Sequence, residues 1–221
     1  MAKLYLKSES RIMKPFDINT WNRKTQYQFF KNFDDPFFGL TCHIDVTNLR
    51  AFCKKNKLSF SLAVLYFSMK VANEITEFRL RIVDEDIVEF DSIEIGSTFL
   101  NDDNSFFFGL FKNETSVFDF DAKGKQLVKE LKRGKIFEEH WNKIDLIFAS
   151  TVPWISFTSI KHARNIEREK SGIPKFVFGK RFQQNDKLLL PFSIEVHHAL
   201  MDGFHVGQLV EKLQQKMDDL K

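Results

Sequence analysis

The chain has 221 residues, 43% hydrophobic and 29% charged, with 33 basic and 30 acidic side chains for a net charge of +3. That length suits one large domain with a buried core, and the near-neutral balance lacks the clustered basic face of a nucleic-acid binder. Cys42 and Cys53 are too few for a disulfide framework or a Cys-rich zinc site, no secretory core opens the sequence, and no run approaches the roughly 18 apolar residues of a membrane span, so a cytoplasmic enzyme or binding protein is expected.

In chain order, strand patterns fall at Gly39–Val46, Ile87–Asp91, Ile93–Leu100, Ser105–Leu110, Ile144–Ala149, Phe176–Phe182 and Lys187–Val196. Turn residues such as Asn101-Asp102-Asp103-Asn104 and Gln184-Asn185-Asp186 bound several of them. Helices are expected at Asn48–Lys54, at Ser61–Ile75 with Ser61 as a cap, at Lys123–Lys132, and over the last segment through Val206, Leu209, Val210, Leu213, Met217 and Leu220. The basic stretch Lys123–Lys135 reads as a solvated helix face. No linker or repeat divides residues 1–221, which predicts one domain. Strands and helices mix without regular βαβ alternation, and no glycine-rich phosphate loop is present. That predicts an α/β fold with helices packed on a sheet rather than a doubly wound nucleotide fold.

Chemistry concentrates after the last strand. Leu188, Leu190, Phe192, Ile194 and Val196 share one face, and His198 falls on the same parity. His197 falls on the more polar face with Ser193 and Glu195. A desolvated histidine is kept neutral, as a general base requires. Asp202, four residues on, reads either as the N-cap of the terminal helix or as a partner of His198. A metal set of His197, His198, Asp202 and His205 lacks a recognisable ligand spacing, so no metal is expected.

The run from Pro191 through His197-His198-Ala199-Leu200-Met201-Asp202-Gly203 to Gly207 closely resembles the active-site segment of the chloramphenicol acetyltransferase family. Trp21-Asn22-Arg23-Lys24, Phe78-Arg79, Asp91-Ser92 and the block Ser150–Ser159 resemble further family signatures, in the same order. The resemblance implies a two-layer α/β sandwich, a homotrimer with interfacial active sites, and acetyl-CoA as co-substrate with no tightly bound cofactor. It implies His198 as the base that deprotonates an acceptor hydroxyl and Ser150 as donor to the oxyanion. Asp202 would pair with Arg23 and hold the loop around His198. Phe29 and Phe30 would line the acceptor pocket, with core packing as the alternative. Trp154 and Lys180, the latter followed by Arg181, would lie near the CoA channel, with packing and surface solvation as the alternatives. The 26 Phe have a natural place in such pockets and interfaces.

Two features depart from the family pattern. Val177 stands where a threonine is familiar, and Lys161–Gly172 is charged where the family is more apolar. The charged run reads as a solvated loop or as a more polar acceptor site. Three functions follow from the sequence: chloramphenicol O-acetylation, the same chemistry on another hydroxyl, or silent trimeric binding of a hydrophobic small molecule. The joint presence of His198, Ser150, Arg23 and Asp202 opposes the last.

Overall fold

The computed structural model describes residues 13–132, 143–165 and 169–220. Three short strands, β1 (Met13–Pro15), β3 (Leu80–Val83) and β4 (Asp86–Phe90), form a small antiparallel sheet ordered β1-β4-β3. The main sheet joins β2 (Phe37–Asp45), β5 (Glu94–Leu100), β6 (Phe106–Phe111), β7 (Leu146–Thr151), β8 (Lys175–Phe178), β9 (Phe182–Gln184) and β10 (Lys187–His197). Its order is β2-β10-β8-β7-β5-β6, with β9 beside β10. The β5–β7 and β7–β8 pairs are parallel and the remainder antiparallel, so the sheet is mixed.

Alternation along the strands gives this sheet two unlike faces. Phe192, Ile194 and Val196 of β10, Phe176 and Phe178 of β8, and Ile147 and Ala149 of β7 all enter one hydrophobic cluster. That cluster is completed by Leu49 and Cys53 of α2 (Thr47–Asn56), by much of α3 (Phe60–Asn73), by Phe120 of α5 (Val117–Leu131) and by Val206, Leu209 and Leu213 of α6 (Gly203–Asp218). A layer of helices on a sheet is the expected sandwich. The opposite face is polar: Ser193 pairs in register with Val177, and Val177 with Ser150. In the second row beyond, Glu195 pairs with Lys175 and Lys175 with Phe148.

Several boundaries differ from the sequence reading. Ser59 rather than Ser61 caps α3, its Oγ accepting from Leu62 N at 3.4 Å. Ser116 likewise caps α5, which starts at Val117 rather than at the predicted Lys123. The helix predicted from Lys123 ends at Leu131; Lys123 and Lys125 are exposed and pair with Glu114 and with the buried Asp121. Residues 133–135 of the basic stretch lie outside the described residues. Phe176–Phe182 is two strands, interrupted from Gly179, where the chain passes so close to Pro191 that a Cβ would sit 2.9 Å from it. Two short helices have no counterpart in the sequence pattern, α1 (Lys24–Phe30) and α4 (Thr76–Arg79). Arg81 is wholly buried and donates to the carbonyls of Phe78, Leu80, Ile144 and Leu146, clamping β3 to the entry of β7. Among the described residues, no helix is long and apolar enough to cross a membrane.

Candidate active site

β10 ends at His197, so His198 sits in the turn rather than closing the apolar row. Its backbone N–H donates to Pro36 O at 2.7 Å, tying the turn to the entry of β2. The His198 ring stacks on Phe30, centroids 3.9 Å apart and planes 9° from parallel, and it meets Phe38 at 4.6 Å. The side chain is thus half-buried between two phenyl rings, with Nδ1 sealed from water and without a hydrogen-bond partner.

His197 keeps the parity expected of it, but its polar face is sealed. The residue is 2% exposed, stands edge-on to Phe37 at 4.9 Å, and accepts from Ala199 N through Nδ1. Burial first, then the positive Arg164, push its pKa down to about 4, so it is neutral and structural. Beneath it Gly172 adopts φ +79, where a Cβ would lie 2.6 Å from Leu200 Cδ1 and 3.3 Å from His197 Cβ.

The loop after His198 is held by a charge pair. Arg23, 5% exposed, pairs through Nη1 with Asp202, while its Nη2 donates to the His198 carbonyl at 3.0 Å. Asp202 also keeps its capping role, because the same carboxylate caps α6 by accepting from Phe204 N at 3.0 Å. Burial pushes the Asp202 pKa up, but Arg23 and His205 outweigh it and hold the carboxyl below its usual range. Asp202 is therefore not the orienter of the His198 ring. His205 is also accounted for, since its nitrogens lie 3.0 Å from Asp202 Oδ1 and 3.4 Å from Glu77 Oε1. Among the described residues, no group of three or more His, Cys, Asp or Glu is arranged to hold a metal ion.

Ser150 lies on the polar face of β7, its hydroxyl 3.1 Å from Thr98 Oγ1. From Ser150, Val177 and Ser193 follow in register, and His198 is five residues beyond Ser193. Two strand spacings across and five residues along place the Ser150 and His198 α-carbons roughly 19 Å apart in one chain. A single chain therefore does not bring the two together. The Thr98 contact escapes sequence reasoning, since it arises from register between β5 and β7 and carries no local motif.

The other candidates divide. Phe30 touches His198, whereas Phe29 is 64% exposed and packs edge-on against Phe30 at 4.9 Å. Trp154 is exposed, next to the exposed Ile155. Lys180 and Arg181 line a cavity of about 430 Å³ with Thr151, Pro153, Phe60 and Phe178, which opens on the helix side of the sheet, the face opposite Ser150. Val177 is buried beside Ser150. Within the 161–172 segment Lys161, Ala163, Asn165 and Lys170 are exposed, as in a solvated loop, but Arg164 is not a solvated charge. Its side chain is 6% exposed, pairs with Glu169 and Glu195, and lies 3.4 Å from the Phe37 ring centre. Lys175 joins this buried network through Glu169 at 2.9 Å and Ala163 O at 3.2 Å. Residues 166–168 lie outside the described residues.

Known proteins share both the sequence and the architecture. The chloramphenicol acetyltransferase family model matches residues 12–214. A chloramphenicol acetyltransferase of Proteus mirabilis is 32% identical over 213 residues, covering 92% of this chain and 94% of that protein. One of Escherichia coli is 31% identical, with 92% and 93% covered. A solved chloramphenicol acetyltransferase superposes with a TM-score of 0.85 at 28% identity, over 95% of this chain and 100% of that one. The dihydrolipoamide acetyltransferase of Azotobacter vinelandii shares the fold at a TM-score of 0.69 and 15% identity, with 89% and 86% covered. With a family match over nearly its whole length and relatives above 30% identity, the chain belongs to the chloramphenicol acetyltransferase family of acyltransferases.

Proposed function

We propose that the chain is an acetyl-CoA-dependent O-acetyltransferase acting on chloramphenicol, with His198 as general base. The observation that carries this reading is the fixing of His198: its carbonyl is held by Arg23, Arg23 is held by Asp202, and its ring is clamped by Phe30 and Phe38. With Nδ1 sealed, Nε2 is the nitrogen left to take the acceptor proton. The acceptor oxygen attacks the thioester carbonyl as that proton moves to Nε2. The tetrahedral intermediate then collapses, the C–S bond breaks, and the departing CoA thiolate recovers the proton. General-base help is worth roughly 10²–10⁴-fold.

Ser150 donates to the oxyanion, a contribution of about 10²–10³-fold. Its hydroxyl shares a hydrogen bond with that of Thr98, and with Thr98 as the donor it is free to donate outward. Because Ser150 and His198 of one chain are far apart, each working site unites His198 of one copy with Ser150 of another in a homotrimer. The cavity lined by Lys180 and Arg181 receives the anionic part of CoA. Trp154, next in sequence to the lining residue Pro153, stands near the CoA channel, and Phe29 and Phe30 border the acceptor. No tightly bound cofactor or metal enters this chemistry, and a cytoplasmic location fits its co-substrate.

One observation favours a second acceptor: the buried Arg164–Glu169–Lys175–Glu195 network lies on the same sheet face as Ser150, with Val177 between. Such a wall suits a more polar hydroxyl compound. Purified protein, acetyl-CoA and chloramphenicol, with thiol release followed, decide the matter. Turnover that is lost in His198→Ala supports the proposal. Turnover with other hydroxyl compounds but none with chloramphenicol transfers the chemistry to the second acceptor. Undiminished turnover by His198→Ala removes His198 as the base.

A further inference from the structure

Arg23 and Asp202 do not act as an isolated pair. Asp202 Oδ1 lies 3.0 Å from Nδ1 of His205, which is 7% exposed in the first turn of α6, and the other ring nitrogen of His205 lies 3.4 Å from Glu77 Oε1. Glu77 belongs to the single turn α4 and accepts a further hydrogen bond from Trp21. Burial pushes the Glu77 pKa up, but the bonds from His205, the backbone and Trp21 outweigh that and hold it low, so the carboxylate is charged. The Trp21 ring in turn carries the Arg23 guanidinium 5.7 Å from its centre. The contacts close on themselves: Trp21, Glu77, His205, Asp202, Arg23 and back to Trp21. From this ring of side chains, Arg23 reaches out to the backbone oxygen of His198.

We infer that Glu77 and His205 are positioning residues for the base, acting on His198 through Asp202 and Arg23. The inference rests on His198 being the base. The physical reason is the number of ways Arg23 could otherwise sit. Asp202 alone is 34% exposed in its side chain, and an ion pair with an exposed partner is a weak positional restraint. Anchoring Asp202 from behind through His205, and His205 through Glu77, leaves the guanidinium one arrangement and fixes the height of the His198 carbonyl. The imidazole then has to meet the acceptor hydroxyl within hydrogen-bonding reach, where small displacements are costly in rate. Helix α4, four residues long and too short to be stable alone, thereby gains a role, which is to present Glu77 to the start of α6.

Steady-state kinetics of Glu77→Ala, Glu77→Gln and His205→Ala test this, with each rate normalised to folded protein by active-site titration or circular dichroism. In Glu77→Ala and His205→Ala, kcat should fall about tenfold while KM for acetyl-CoA and for acceptor stays within about twofold. Glu77→Gln, which still accepts from His205 and Trp21, should recover most of the loss. The double variant Glu77→Ala/Asp202→Ala should be no slower than Asp202→Ala alone, because both act along one path. A purely structural role would lower the melting temperature and leave kcat per folded molecule unchanged, and that result overturns the inference. So would a double variant whose losses multiply. If His198→Ala itself keeps full activity, the failure belongs to the base assignment; if only the Glu77 and His205 variants keep it, the failure belongs here.

Discussion

The separation of Ser150 from His198 leads to a complementation experiment whose outcome is quantitative. Neither side chain can reach the other's working position within a chain, since roughly 19 Å of sheet lies between their α-carbons. Ser150→Ala should lose about 10²–10³-fold in kcat, the worth of one oxyanion donor. His198→Ala should lose about 10²–10⁴-fold. When the two variants are co-expressed at equal levels and assemble at random in a cyclic oligomer, about one site in four pairs an intact His198 with an intact Ser150 from its neighbour. Activity should then return to about a quarter of wild type, roughly 25–250-fold above Ser150→Ala alone. Thiol release from the purified mixed oligomer measures it, and differently tagged subunits confirm mixing. Activity no higher than the mean of the two separate variants, in a preparation shown to be mixed, would refute the shared site.

Stability carries three further tests. His197 is held near pKa 4 against an ordinary value of 6.5, so the unfolded chain binds the extra proton first as pH falls. The native state should lose about 2 kcal/mol between about pH 7.5 and 5, approaching about 3 near pH 4, and urea unfolding of His197→Gln should lack that share of the loss. Asp202→Asn keeps the cap of α6 but strands the buried Arg23 charge; a cost of about 2 kcal/mol is expected in urea unfolding, below the roughly 3–5 of a fully buried pair. Gly172→Ala places a Cβ 2.6 Å from Leu200 at positive φ, and should cost at least about 2 kcal/mol in thermal unfolding. A Gly172→Ala protein as stable as wild type would mean that the turn beneath His197 yields freely.

What is legible in the sequence follows from length and periodicity. β10, α3 and α6 are long enough for their apolar pattern to repeat, and the pattern locates each to within a few residues of its bounds. α1 and α4 have seven and four residues, too short for a pattern, and they exist because Tyr27 and Phe78 are buried by the tertiary fold. Asp202 is legible twice over, as a cap and as a partner of Arg23, and the two roles are compatible: one oxygen serves the helix and the other the guanidinium. The burial of Arg164 cannot be singled out from its charged run, because such a run looks solvated whether or not carboxylates await it. Glu169 is five residues away, but Glu195 and Lys175 reach the network only through the pairing of β8 with β10.

That contrast explains why the surroundings of His198 read more easily than those of Ser150. Most groups placed around His198 come from two compact segments, 21–30 and 197–205, so their spacing is carried by the chain itself. The surroundings of Ser150 are assembled sideways, from Thr98 on β5, Val177 on β8 and the network over β10, and each neighbour is fixed by strand register. A one-residue slip of β8 would turn Val177 and Lys175 to the helix side and put a core phenylalanine in their place. If the proposed acceptor site is right, acceptor choice should shift when Arg164, Glu169, Lys175 and Glu195 are replaced together by apolar residues, while His198 and its ring of supporting side chains stay as they are. The ratio of kcat/KM for chloramphenicol to that for a more polar hydroxyl compound measures the shift, and an unchanged ratio would remove the network from the acceptor site. The network is balanced, two cations against two carboxylates, so removing it whole leaves no buried charge behind, whereas removing Arg164 alone strands Glu195. The balanced replacement is the variant that separates substrate preference from stability.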